Sequence, residues 1–204
     1  EANELEPYHR DSRNIARTAE RFLKSTDIAT HSKWGPELEY YIFDEVSYST
    51  DPLLSYYQIK AEQTSEGVSN GLKTGYKLDG KSGYHACQPH DTLSDIRNET
   101  VKIMEECNIP VKYHHHEVGI HGQVEIEIKF GNPLEMGDAV ILGKYIAKMV
   151  AKKHGKTATF MPKPIFDQAG TGMHFHQHLF KDDEPIFYDE DGSGGLSELA
   201  LSYT

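Results

Sequence analysis

The stretch Trp34-Gly-Pro-Glu-Leu-Glu-Tyr-Tyr-Ile-Phe-Asp44 alternates between two kinds of side chain. A period of two is typical of a β-strand, whose successive side chains point to opposite faces. The alternation divides the strand into one face with Glu37, Glu39, Tyr41 and Phe43 and another with Leu38, Tyr40 and Ile42. A strand this apolar is expected at the centre of a sheet, where an unpaired carboxylate is costly. Glu37 and Glu39 therefore either need cations or partners, or belong to a solvated strand face.

Three segments around this strand have apolar residues at helical spacing and residues typical of helix ends. Helices are predicted over about 12–25 after Asp11, to about 107 after Thr92, and to about 154 after Asn132. Strands are predicted at 111–117, 123–130, 157–161 and 172–180, the first two as an antiparallel hairpin across a glycine-containing turn. Residues 45–90 lack a regular pattern, which favours a long functional loop. Strands mixed with amphipathic helices indicate an α+β fold.

The composition excludes several classes of protein. The chain has 204 residues, with 21 Lys and Arg against 32 Asp and Glu, so its net charge of −11 disfavours nucleic acid or an anionic membrane as partner. No stretch approaches the roughly 20 apolar residues of a spanning helix, and no signal peptide is expected. Two cysteines fit a reducing, cytoplasmic location. The chain starts at Glu1 and stops inside the run LSELALSYT, which predicts a piece of a longer protein.

Further carboxylates are spaced so that they can join those of the first strand. Glu117 and Glu125 lie eight residues apart across the predicted turn, so an antiparallel hairpin can return them to one face. If they converge with Glu39, their mutual repulsion raises their pKa values unless a divalent cation neutralises them. Oxygen ligands favour Mg²⁺ or Mn²⁺. Glu127 is predicted to be the solvated member of its strand.

Histidines form a second cluster of candidate ligands. His174, His176 and His178 alternate along one predicted strand and so share a face, which leaves a catalytic zinc site as an alternative. Alternation splits residues 114–116 between two faces, and a half-exposed strand is the favoured interpretation there. The Gly170-Thr-Gly-Met173 loop allows a substrate to approach the backbone closely.

Four motifs in order resemble the catalytic domain of bacterial type I glutamine synthetase. They are Gly35-Pro-Glu-Leu-Glu39, His115-His-Glu-Val118 with Gln123-Val-Glu125, Lys156-Thr-Ala-Thr-Phe-Met-Pro-Lys-Pro164, and Gly170-Thr-Gly-Met-His-Phe-His176. The resemblance implies a curved antiparallel sheet flanked by helices, incomplete in this chain. Residues 1–204 would be the N-terminal part of the catalytic domain, without the family's β-grasp domain and C-terminal half.

The resemblance also implies a role for each matching residue. Glu39, Glu117 and Glu125 would hold a first metal ion, and Glu37 and His174 a second. The remaining roles fall on residues near the substrates: Gly170 and His174 at glutamate, His176 and the backbone near Phe130 at the nucleotide, and Tyr84 with Glu117, as the catalytic pair, at ammonium.

The implied activity is the ATP-dependent ligation of ammonium to glutamate through γ-glutamyl phosphate, with two Mg²⁺ or Mn²⁺ ions per site. The implied assembly is a cytoplasmic homo-oligomer of stacked rings, a dodecamer for the full chain. The 204-residue piece alone is expected to have little or no activity. Ala169, Lys112 and His178 depart from the usual Asn, Glu and Ser of the family. Two alternatives on the same scaffold are a γ-glutamyl ligase for amines or polyamines, and a catalytically dead structural or regulatory protein.

Overall fold

The computed structural model describes residues 7–64 and 75–203. The chain divides into two compact units, one of Glu1–Gly35, Phe130–Ala139 and Phe175–Thr204, the other of Pro36–Lys129 and Val140–His174. The helices are α1 Ser12–Ser25, α2 Ser94–Glu106, α3 Pro133–Lys153 and α4 Glu198–Tyr203, with a 3₁₀ turn at Ser193–Gly195. The strands are β1 His31–Phe43, β2 Glu45–Asp51, β3 Leu54–Lys60, β4 Val111–His116, β5 Gln123–Ile128, β6 Thr157–Thr159, β7 Met173–Lys181 and β8 Glu184–Pro185.

The second unit is built on antiparallel strands. β5 lies between β4 and β1, and β6 pairs with the end of β1. The apolar face predicted for β1 is confirmed, because its side chains and those of β5 on the same side are almost inaccessible: Leu38, Tyr40, Ile42, Val124, Ile126 and Ile128. Burial of each such side chain contributes about 1.5–3 kcal/mol to folding. In α3, Gly143 leaves space for Met104 of α2 and for Leu38.

Two of the three predicted helix starts are confirmed. The Asp11 carboxylate accepts the Asn14 N–H at 2.8 Å, and the Asn132 side chain accepts the Glu135 N–H at 2.9 Å. The Thr92 cap is wrong, because Leu93 precedes α2 and makes no side-chain cap bond. The Asp91 carboxylate accepts the Leu93 N–H at 2.9 Å instead.

The prediction of an unpatterned loop over 45–90 is also wrong in its first part. β2 and β3 form a regular antiparallel hairpin, with Glu45 opposite Lys60 and Asp51 opposite Leu54. Most of its side chains are exposed on both faces, so burial imposes no alternation on the sequence. Residues 65–74 of the predicted loop lie outside the described residues.

The first unit contains α1, the start of β1, and the hairpin of β7 and β8. Trp34 pairs with Gly131, and its indole lies edge-on to Phe175 with ring centroids 6.0 Å apart. The indole N–H donates to the Ser32 hydroxyl at 2.9 Å. None of the residues of α1, all of which the structure describes, is buried, although the predicted apolar stripe is present.

Two glycines allow a comparison between a position whose backbone requires glycine and a position that can accept alanine. Gly122 has φ +100°, and a Cβ there would lie 2.3 Å from the Ile42 carbonyl oxygen, whereas a Cβ on Gly137 in α3 meets nothing within 4 Å. Gly122→Ala is expected to destabilise the protein by about 2–4 kcal/mol. Gly137→Ala is expected to stabilise it by about 0.5–1 kcal/mol, because alanine loses less backbone entropy in a helix. Urea unfolding of both variants checks the pair, and an unchanged midpoint for Gly122→Ala would contradict it.

No helix among the described residues has both the length and the apolar character needed to cross a membrane. Cys87 and Cys107, both within those residues, are unbridged and exposed.

Candidate metal centre

One face of the sheet in the second unit carries an accumulation of carboxylates. The register sets Glu39 directly opposite Glu125, and Glu37 opposite Glu127. Like charges directly opposite each other destabilise a sheet, so this face requires positive charge. Glu117 follows β4 and joins the group, which the structure brings together as predicted. The side chains of Glu37, Glu39, Glu117 and Glu125 are only 10–14% exposed.

Polar contacts orient three of these carboxylates. Glu37 contacts His174 Nδ1 at 3.0 Å. One oxygen of Glu39 accepts the Gln123 side-chain amide and the Gly172 N–H, both at 3.0 Å. One oxygen of Glu117 accepts the Val118 N–H at 2.7 Å. These bonds hold the carboxylates in place without cancelling their combined charge.

Glu125 experiences the largest share of that charge. Burial together with the neighbouring carboxylates of Glu37, Glu117 and Glu39 raises its pKa to about 8. Its nearest imidazole is His115, whose Nε2 lies 3.5 Å from a Glu125 oxygen. A glutamate whose pKa is raised this far is protonated at neutral pH unless a cation replaces the proton.

The donor set fits a divalent cation. Within residues 7–64 and 75–203, the one group of three side chains with ligand atoms all within 4.8 Å of one another is His115, Glu117 and Glu125. Within the same residues, the three histidines of β7 form no group of this kind. At Gly172 a Cβ would lie 2.4 Å from His174 Nε2 and 3.0 Å from a Glu39 oxygen, so only glycine lets the backbone approach here. The carboxylate oxygens of this set suit Mg²⁺ or Mn²⁺.

The prediction that Glu127 is solvated is wrong. Its side chain is 2% exposed, and one oxygen contacts Lys112 Nζ at 2.6 Å. A hydrogen bond with Glu127 is the main cause that raises the pKa of Tyr113 to about 12. β5 is buried on both faces, so the Glu127 carboxylate is balanced by the Lys112 ammonium group rather than by water. Lys112, which departs from the family pattern, thus belongs to a structural ion pair.

The other predicted residues of the second unit surround the carboxylates. Tyr84 is 60% exposed, and its ring stands edge-on to His115, with centroids 5.5 Å apart. Gly83 lies against the Glu117 backbone, where a Cβ would be 2.5 Å from its carbonyl oxygen. The Gly170 carbonyl accepts the Gln123 amide at 2.8 Å. The structure therefore brings Tyr84 and Gly170 to the edges of the acidic face.

Phe130 and His176 belong to the first unit. Their ring centroids lie 6.4 Å apart, and the His178 ring lies 5.2 Å from Phe130. Both predicted nucleotide residues thus share one exposed group of rings, and His178 adds a ring to it.

Two residues of the centre had no assigned role in the sequence-based prediction. Gln123 links Glu39 to the Gly170 loop, and His115 faces Glu125. Each precedes a predicted glutamate ligand by two positions, so the period of two places it on the same strand face. That spacing was the available signal for both.

The raised pKa of Glu125 predicts a pH-dependent metal affinity. Below pH 8 the metal-free carboxyl holds a proton that a cation must displace, so Mn²⁺ affinity is expected to rise by up to about tenfold per pH unit from 6 to 8 and then level off. Because the folded pKa exceeds the unfolded value of about 4.3, the metal-free protein loses stability as the pH rises from that value to about 8, and the loss levels off above 8. Calorimetric titration with Mn²⁺ in two buffers of different ionisation enthalpy measures the released proton. A flat affinity profile would contradict the assignment, and Glu125→Gln should produce one.

The fold and the centre together define an α+β domain with a carboxylate- and imidazole-lined candidate metal site. A family model described as glutamine synthetase, catalytic domain, matches residues 9–204. The chain therefore belongs to the glutamine synthetase catalytic-domain family, a ligase family, and the predicted resemblance and fold class are confirmed.

Individual relatives agree with this assignment. The glutamine synthetase of Frankia alni is 44% identical over 201 residues, and that of Streptomyces filamentosus 46% over 201 residues. Each alignment covers 97% of this chain and 42% of the relative. The cryo-EM structure of Plasmodium falciparum glutamine synthetase superposes with a TM-score of 0.86 at 32% identity, covering 97% of this chain and 40% of that one. The chain thus spans less than half the length of these relatives.

Proposed function

We propose that this chain is part of an ATP-dependent glutamate–ammonia ligase that uses Mg²⁺ or Mn²⁺. The observation that carries the proposal is the acidic face, on which Glu39 and Glu125 stand directly opposite each other beside Glu117 and next to His174. A structural or regulatory protein has no need to keep such mutually repelling charges. The family membership supports the same conclusion.

Within this proposal, the reaction has two steps. The side-chain carboxylate of glutamate attacks the γ-phosphorus of ATP, and the bond between this phosphorus and the oxygen that bridges it to the β-phosphate breaks. The products of this step are γ-glutamyl phosphate and ADP. Ammonia then attacks the acyl carbon and phosphate leaves, giving glutamine. Bound divalent cations supply charge neutralisation and polarisation of the transferred phosphoryl group.

The protein's own side chains take these roles in the proposal. Glu39, Glu117 and Glu125 hold the first cation, and Glu37 and His174 the second. The backbone at Gly170, which the Gln123 amide anchors, binds glutamate together with His174. His176 and the chain at Phe130 bind the nucleotide.

Ammonium enters the proposal as a cation. Glu117 provides the negative charge that attracts it, and the close approach of Gly83 to the Glu117 carbonyl supports a role for the adjacent Tyr84. The low exposure of Glu117 strengthens that attraction, because water screens it less. An ammonium ion bound here gives up a proton to an acidic group and becomes the nucleophile.

The wider proposals rest on the family membership. Residues 1–204 form the N-terminal part of the catalytic domain, in keeping with the 42% share of the relatives. The full protein assembles as a cytoplasmic homo-oligomer of stacked rings.

Phosphate release by the full-length protein tests the function. Glutamate, ammonium and Mg-ATP together are expected to yield phosphate and glutamine, with no release when glutamate is omitted. Release with methylamine but not with ammonium would identify an amine ligase instead. Absence of glutamate-dependent release with either acceptor would overturn the proposal. The 204-residue chain alone is expected to be nearly inactive.

A further inference from the structure

Two fully buried side chains anchor the Gly170 loop, residues 169–172. The Tyr41 hydroxyl donates to the Ala169 carbonyl at 2.7 Å, and the Gln123 amide donates to the Gly170 carbonyl at 2.8 Å. Tyr41 and Gln123 are both 0% exposed. Because a carbonyl can only accept, both side chains act as donors and turn two consecutive peptide groups toward the interior of the second unit.

The end of the same loop is held by backbone and carboxylate contacts. The Thr171 N–H donates to the Pro162 carbonyl at 2.8 Å. The Gly172 N–H donates to Glu39 at 3.0 Å, and the Glu39 N–H donates back to the Gly172 carbonyl at 3.2 Å. These bonds fix where the loop ends on β1, and the two side-chain bonds orient its first two residues.

The side-chain amide of Gln123 has a partner for each of its polar atoms. Besides Gly170, its nitrogen donates to Glu39 at 3.0 Å, and its oxygen accepts the Gly119 N–H at 2.9 Å. These three bonds use both N–H groups and the carbonyl oxygen of the amide. A glutamate here would face two acceptors, and an asparagine would be one methylene too short. The three partners therefore require glutamine.

The backbone of Gln123 joins this loop to the turn after β4. The Glu117 N–H donates to the Gln123 carbonyl at 2.9 Å, and the Gln123 N–H donates to the Gly119 carbonyl at 3.0 Å. A Cβ on Gly119 would lie 2.4 Å from the Tyr41 hydroxyl and 2.6 Å from the Gln123 side-chain oxygen. The turn that carries Glu117 and the Gly170 loop are thus packed against the same two buried side chains.

We propose that Gln123 and Tyr41 are positioning residues that fix the Gly170 loop relative to Glu117, so that one buried bridge sets the glutamate and ammonium sites together. The inference rests on the proposed function, in which Gly170 lies at glutamate and Glu117 at ammonium. Ala169 offers only a methyl group where the family usually has an asparagine, so recognition of glutamate there depends on the backbone that these bonds orient. The Tyr41 hydroxyl donates to the loop, whereas Gln123 bonds to both the loop and the turn.

Phosphate release by the full-length protein, with glutamate and ammonium varied separately at saturating Mg-ATP and Mg²⁺, tests the bridge. Tyr41→Phe is expected to raise the KM for glutamate by about fivefold and to leave the KM for ammonium within about twofold. Gln123→Met removes three bonds, so it is expected to raise both KM values by about 10-fold or more.

Tyr40→Phe is the matched control, because Tyr40 is the next residue of β1, lies on the opposite face and is 1% exposed. It is expected to leave both KM values unchanged. A merely structural role of Tyr41 and Gln123 would lower Tm and kcat without separating the KM for glutamate from the KM for ammonium.

Hydrogen exchange of the unmutated full-length protein tests the coupling without any variant. Saturating glutamate is expected to slow exchange in residues 117–123 by about threefold or more, because the bridge passes the ordering of the loop to the turn. A variant that fails to fold therefore does not leave the proposal untested.

The outcomes separate this inference from the proposed function. An unchanged KM for glutamate in Tyr41→Phe, an unchanged KM for either substrate in Gln123→Met, or unaltered exchange in residues 117–123 overturns the bridge while the wild-type protein remains a ligase. A wild-type protein without glutamate-dependent phosphate release overturns the proposed function, and this inference with it.

Discussion

Replacing Glu125 by glutamine is expected to reduce glutamate-dependent phosphate release by the full-length protein by at least about 100-fold. The glutamine keeps the size of the side chain but removes the charge that a cation needs. The same change relieves the repulsion that raises the pKa of Glu125, so the metal-free protein is expected to gain stability. A loss of activity with a gain in metal-free Tm is a combined result that simple misfolding cannot produce.

Glu127→Gln is the matched control, because Glu127 lies two residues along the same strand and is also buried. Its partner is Lys112, so the expected result is a lower Tm with the Mn²⁺-induced rise in Tm retained. Thermal unfolding with and without Mn²⁺, alongside phosphate release, measures both variants. If the Mn²⁺-induced rise in Tm survives Glu125→Gln and is lost in Glu127→Gln, the cation binds at Glu127 and not at Glu125.

Arg97→Met is expected to have the largest effect on stability, about 3–5 kcal/mol, or roughly a 10 °C fall in Tm. Arg97 donates to both oxygens of Asp91 at 3.1 and 2.6 Å, and the two side chains are 4% and 1% exposed. Burial alone would raise the pKa of Asp91, but the hydrogen bonds and charge of Arg97 outweigh it and lower that pKa. Removing Arg97 leaves a buried carboxylate without its cation.

The sign of the pH effect follows from the lowered pKa. The stabilisation by the Asp91–Arg97 pair is present above the unfolded pKa of Asp91, about 3.9, and is lost as the pH falls through the lower folded pKa.

Adding Asp91→Asn to Arg97→Met should restore part of the stability, because it removes the buried charge. Lys60→Met, which breaks an exposed pair with Glu45 at 56% and 55% exposure, should cost less than about 1 kcal/mol. If Arg97→Met and Lys60→Met lower the free energy of unfolding equally, burial does not determine how much these ion pairs matter.

The period of two in β1 was sufficient to predict both faces of the central strand. It succeeded because one face is apolar and buried, with Leu38 close to Gly143 of α3, and the other carries the carboxylates, so the chemistry differs between them. The β2–β3 hairpin could not be found in this way, since exposure on both sides leaves no alternation to detect. The Thr92 cap failed because Asp91, engaged by Arg97, takes the Leu93 N–H.

The error at Glu127 has a different physical origin. Glu125 and Glu127 are equivalent in sequence pattern, and only their neighbours on β4 distinguish them. The pairing register shifts between Val111 and Tyr113, which sets Tyr113 opposite Glu127 and His115 opposite Glu125. A local register shift has no signature in a single sequence, so the partners of each glutamate emerge only from the fold.

Trp34 is the chain's only tryptophan, and it lies in the first unit against Phe175. Its emission is therefore a built-in optical probe of that unit, whereas every carboxylate of the acidic face belongs to the second. Melting curves recorded from Trp34 fluorescence and from far-ultraviolet circular dichroism can be overlaid. Coincident curves would mean that the two units lose their structure as one cooperative body.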